Sequence, residues 1–153
     1  MLGGMDAIII SEYADVTMAA ATGKLDHLAE TARGRLALLI ALGQFPRSLW
    51  RDTPAAFAQD IKSTRLALEG IRNGHFDELE PWEQAAYVVA ISHCEGPDHL
   101  ERMEQLVPIV DAIGARLPEP IAQMAARFRM QHGRVQGIIA RFGRHPHRNA
   151  VLG

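Results

Sequence analysis

Along nearly all of this 153-residue chain, apolar side chains return at three- and four-residue steps, and no stretch alternates strongly with period two. The first spacing lines one face of an α-helix; the second would line one face of a strand. The chain is therefore expected to be all-α, with about six helices in antiparallel hairpins joined by short loops and no sheet. The run Leu36-Ala-Leu-Leu-Ile-Ala-Leu42 is apolar on every side, which predicts a central helix rather than a surface one.

Local signals place the elements. Asp6 to about Thr22 reads as a first helix, with Ile9, Tyr13, Val16 and Ala20 as its stripe and Gly23 beyond its end. Thr31 is the expected N-cap of a second helix, Arg33 to Phe45, which Pro46 should stop because its ring removes a donor and disfavours helical geometry before it. Thr53-Pro54 can open a further turn, and Asp60 to Asn73 continues as helix up to Gly74. Glu80-Pro81 opens a fourth helix with Trp82, Ala85, Ala86, Val89 and His93 on one expected inner face. Asp98 caps a fifth from His99 to about Ala115, with the stripe Met103, Leu106, Val110 and Ile113. Pro118 to Pro120 should start a sixth, on which Ile121, Met124, Ala125, Phe128, His132, Val135, Ile139 and Phe142 share a face. No linker or composition break divides the chain, so residues 1–153 are expected to form a single helical-hairpin domain.

Composition narrows the setting. With 48% apolar and 22% charged residues, the chain is neither disordered nor repetitive, and its apolar runs are short of the roughly 20 residues of a membrane span. No membrane partner is expected. The start Met1-Leu-Gly-Gly-Met-Asp6 shows no basic flank or cleavage site. The lone Cys94 fits a reducing compartment, so the expected location is cytoplasmic. Charge is uneven: residues 120–153 carry six arginines and no acid, while all 18 acidic residues lie before them. Of the 16 cations only Lys24 and Lys62 are lysines, and arginine forms the planar, forked bonds that suit carboxylate and phosphate. Nucleic acid is disfavoured by a pI near 6.4 and by two Trp and two Tyr only.

Three blocks carry a resemblance. They are Gly34-Arg-Leu-Ala-Leu-Leu-Ile-Ala-Leu-Gly-Gln-Phe-Pro-Arg47 followed by Thr53-Pro-Ala-Ala-Phe-Ala-Gln-Asp60, then Ile91-Ser-His-Cys-Glu95, and last Ile138-Ile-Ala-Arg-Phe-Gly-Arg-His-Pro-His-Arg-Asn-Ala-Val-Leu-Gly153. In this order they resemble the bacterial family known as domain of unknown function 924, over about Asp6 to Gly153. The resemblance implies an all-α, tetratricopeptide-like fold and no established activity. The chain departs from the family's usual pattern at Gly43, Cys94 and Val135, and it lacks the aromatic segment with which members begin.

Candidate site residues cluster in these blocks. Gln44 and Arg47 stand where a buried helix meets a turn and can donate to backbone or ligand. His93 and Glu95 are the candidate proton carriers, Glu95 wanting a cation such as Arg47 or Arg148 near its helix end. Arg144, His147, Arg148 and Asn149 form the densest polar stretch, with His145 beside them. No metal site is expected, because no Cys, His, Asp or Glu set has recognised ligand spacing, and no cofactor motif is present. Two functions follow as expectations. One is a scaffold that binds a protein partner or a second copy through an apolar surface left open by the missing segment. The other is a pocket for a small anion, hydrolase-like in its side chains, built from the three polar blocks.

Overall fold

In the computed structural model, which describes residues 4–153, every regular element is helical and none of the described residues forms a strand. The α-helices are α1 (Gly4–Glu12), α2 (Ala14–Ala21), α3 (Ala32–Gly43), α4 (Phe45–Leu49), α5 (Asp60–Arg72), α6 (Pro81–His93), α7 (His99–Ala115), α8 (Met124–Phe142) and a last four-residue turn, α9 (Asn149–Leu152). Single 3-10 turns lie at Asp26–Glu30, Pro54–Phe57 and Pro146–Arg148. The all-α expectation holds, and the expected six helices are exceeded.

The central position of α3 follows from its all-round apolar surface. Leu39 faces a core shared with Tyr87, Ile91, Met103 and Leu106, while Leu38 and Leu42 face a second cluster with Ala20 and Ala41. Thr31 caps it as expected, its Oγ1 accepting from Gly34 N at 3.1 Å. α5 and α6 pack on α3, α7 packs on α6, and α8 on α7. The reciprocal bonds of Glu80 and Glu83 start α6. The α7 stripe Met103, Leu106, Val110 and Ile113 is buried throughout.

Three expectations are corrected. The first helix breaks at Tyr13, because its halves dock on different partners: α1 on α4 and α2 on α3. Its stripe faces solvent at Tyr13 and Val16, while Thr17 and Ala20 are buried. The second helix ends at Gly43, and Pro46 opens α4 rather than stopping the chain, since a first-turn residue needs no N–H donor. The rings of Tyr13 and Phe45 meet at 5.1 Å, so the two breaks face each other. Third, α8 begins at Met124, after turns over 118–123, and its stripe is only partly covered: His132 and Ile139 are buried, whereas Met124 and Phe142 are exposed.

α6 also presents a different inner face. Gln84, Tyr87, Val88 and Ile91 enter the core, and the Trp82–Ala85–Val89–His93 stripe looks toward α8 across an open space. Gln84 is held inside by Phe76 O, Leu79 O and the Arg116 guanidinium, which is why a polar residue can occupy the buried side.

Candidate functional site

The C-terminal end of α6 is the frame of the site. Its last carbonyls have no helical donor, and side chains from two segments supply one. Arg102 donates to Ile91 O and Cys94 O, both at 2.8 Å. His99 and His145 donate through Nε2 to the same Ser92 carbonyl, at 2.9 and 3.2 Å. The backbone N–H of His145 donates to Glu95 Oε1 at 2.8 Å. The loop carrying His145, His147 and Arg148 is thereby clamped onto the end of α6.

Asp60, at the start of α5, gathers the two principal arginines. It accepts from Arg47 Nη2 at 2.7 Å and from Arg148 Nη1 at 3.1 Å. Both guanidiniums lie over the Phe57 ring, at 5.4 and 4.4 Å from its centroid, a cation–π seat that orients them side by side. Arg148 Nε lies 3.8 Å from Glu95 Oε1, too long for a hydrogen bond, and is buried without a partner. Burial pushes the Asp60 carboxyl above its ordinary range, opposed by the two guanidiniums.

In front of this cluster opens a cavity of about 610 Å³, a size usual for small-ligand sites. Arg47, Arg51, Arg134 and Arg148 line it with His93, His145 and His147, and Asp52 is its one lining carboxylate. The opposite wall is apolar: Val88 and Val89 from α6, Phe128, Val135 and Ile138 from α8. His93 Nδ1 is enclosed and unpartnered. Burial, then the charges of Arg47 and Arg148 and the rings of His145 and His147, drives His93 down to about 3, so it is neutral near pH 7. Burial and Arg148 likewise lower His145 to about 4.

Of the candidates named from sequence, Arg47, His93, His147 and Arg148 meet in this cavity. Glu95 stands behind it, tied to His145 and Arg148. Gln44 is exposed at the α3–α4 junction, Asn149 is exposed, and Arg144 turns to Gly153 O at 3.1 Å; none of the three lines the cavity. Asp60, Phe57, Arg51 and Arg134 were not singled out by sequence. The available signal was Asp60 and Phe57 closing the same block that contains Arg47. Among the family departures, Val135 lines the cavity, while Cys94 is buried, with its thiol pushed up by that burial. A Cβ on Gly43 would come to 3.3 Å from Ser63 Oγ, a tight approach of α3 to α5.

The model of a family described as bacterial protein of unknown function, DUF924, matches residues 3–153. The chain belongs to this family. Consistently, the chain is similar to a solved structure from Agrobacterium tumefaciens, that of the protein of unknown function ATU0120, at 27% identity and a TM-score of 0.80. The match covers 97% of this chain and 76% of the other. No functionally curated protein matches this DUF924 member. Among its described residues no helix is long and apolar enough to cross a membrane, and no three His, Cys, Asp or Glu side chains group as a metal site.

Proposed function

We propose that this protein binds a small organic anion in the cavity between α6, α8 and the C-terminal loop. The observation that carries this reading is Arg148: its side chain is only 4% exposed, it lines the cavity, and its Nε has no hydrogen-bond partner. A buried, unsatisfied guanidinium donor is costly unless something accepts from it. Arg148, with only Nη1 committed to Asp60, offers its other terminal nitrogen to the acidic group. Arg47 adds its charge while its own fork stays on Asp60 and Ala56 O. Arg134 and His147 border the group, and His93 faces it as a neutral hydrogen-bonding ring. Glu95 acts by holding His145 and Arg148 in place.

Calorimetric titration with acetate, succinate and inorganic phosphate tests the reading. Binding is expected to weaken tenfold or more in Arg47→Gln, the loss of a charge-assisted bond, and also in Arg134→Gln, whose side chain is exposed. No heat from any of these anions up to about 10 mM, the weak end of specific binding, would exclude it. So would equal affinities in parent and variants.

A second reading rests on α1, which buries none of its residues although Met5, Ile8 and Ile10 are exposed on it, with Val16 and Met18 beyond on α2. Such a patch suits a protein partner, in first place a second copy, and stacked hairpins in the tetratricopeptide style would serve as its scaffold. The two readings are compatible, since no α1 residue lines the cavity, and Asp6 meets the lining residue Arg51 at 2.7 Å.

A further inference from the structure

A second space, a groove of about 270 Å³, lies beside the cavity along α6 and α8, and Phe128 and Gln131 line both. The groove has Trp82 and Ala85 on one side, Met124 and Phe128 on the other, and Ile113 and Leu117 of the α7 end as its floor. Arg127 and Gln131 are its only polar lining residues. Ile113 is 1% exposed, while Trp82 and Met124 are 48% and 50% exposed, so the floor is sealed and the walls stand open. α6 and α8 run in the same direction here: Trp82 faces Met124 at one end, and Val89 shares the cavity with Val135 at the other. From Trp82 to His93 the trough extends roughly 16 Å along α6 at 1.5 Å per residue.

We propose that the ligand is an amphiphile, an unbranched acyl chain ending in a carboxylate, with its head at Arg47 and Arg148 and its tail in this groove. The proposal rests on the anion-binding reading above and names the ligand class for it. The charged lining is concentrated in the cavity, and Arg127 is the one charged residue lining the groove, so an occupant with its charge at one end and hydrocarbon at the other fits the two together. A carboxylate monoanion suits the head better than a phosphate dianion, since Asp60 and Glu95 already neutralise part of the charge of Arg47 and Arg148.

The test is calorimetric titration with acetate, butyrate, hexanoate and octanoate, each below its micelle concentration, and with octyltrimethylammonium as the cationic counterpart. Each added methylene is expected to tighten binding roughly fourfold. Ala85→Trp, which fills the groove, and Met124→Glu, at an exposed wall, should each flatten this series and leave butyrate unchanged. A flat series in the parent, with butyrate bound through Arg47, overturns the amphiphile and spares the anion pocket; no binding of any carboxylate overturns both. The proposal also fails if octyltrimethylammonium binds as tightly as octanoate, or if both groove variants keep the full chain-length gain. It fails equally if Ala85→Trp alters the sedimentation of the protein and not the series, which would make the groove a subunit contact.

Discussion

Asp60 joins Arg47 and Arg148, which come from opposite ends of the chain, and its own carboxyl is pushed up by burial even so. Burying such a set costs desolvation that its ion pairs do not fully return, so its use lies in fixing where the two guanidiniums point. His93 feels the consequence. It faces Arg47 of α4 and His145, His147 and Arg148 of the C-terminal loop, and it is held neutral. The folded protein keeps His93 and His145 unprotonated down to about 3 and 4, whereas unfolded imidazoles protonate below 6.5. The unfolded state therefore binds more protons in that window: the contribution is whole above pH 6.5 and is lost as pH falls toward 4. Asp60, with a raised value, acts with the opposite sign but nearer the carboxylate range. Urea denaturation at pH 7 and pH 5 should show a loss of about 2 kcal/mol per pH unit from the two imidazoles together, about half as steep in His93→Gln. Equal midpoints at the two pH values would contradict it. The loop at His147 and Arg148 was legible because polar residues crowd around a fixed proline there. Asp60 was not, because a carboxylate at a helix start is ordinary and nothing local shows that two arginines will reach it.

At the scale of elements, the apolar pattern located the helices well where one face is plainly apolar, as in α7, or where the whole helix is, as in α3. It failed on α6, which carries two apolar stripes. The one chosen, through Trp82 and Val89, is open, while the one containing Gln84 is buried because backbone carbonyls and Arg116 satisfy that amide. The breaks at Tyr13 and Gln44 were hidden for a related reason: helices bend there to dock on separate partners, a tertiary demand with no local signature. α8 shows what an uncovered face permits. Gly133 and Gly137 sit in mid-helix and a Cβ on either meets nothing within 4 Å. Glycine in a helix interior costs roughly 0.5–1 kcal/mol relative to alanine, so Gly133→Ala with Gly137→Ala should stabilise by about 1–2 kcal/mol. Thermal unfolding should rise by several degrees. A fall instead would mean that this face of α8 is covered by something in the native state.

For the molecule as a whole, a basic end of the chain that only neutralised the acidic remainder would have each of its arginines on an acid. Among the described residues Arg129 and Arg148 do pair with acids, but Arg127, Arg134, Arg141 and Arg144 do not. Two of these four line the groove and the cavity, which leaves the long axis between α6 and α8 positively edged and apolar within. The N-terminal helices are different. There α1 and α2 expose Met5, Ile8, Val16 and Met18 and carry Asp6 inward to Ser48 Oγ and Arg51, each at 2.7 Å. A helix held by polar contacts while its apolar side chains face water is stabilised when that side is covered, and a second copy offers the same surface in self-complementary form. Sedimentation over a concentration series should therefore show a dimer that Ile8→Glu dissociates while the helical content and the response to butyrate stay unchanged. A parent that sediments as a monomer at every concentration removes the self-association reading. An Ile8→Glu variant that also loses butyrate would instead make α1 a brace for the Arg51 rim of the cavity.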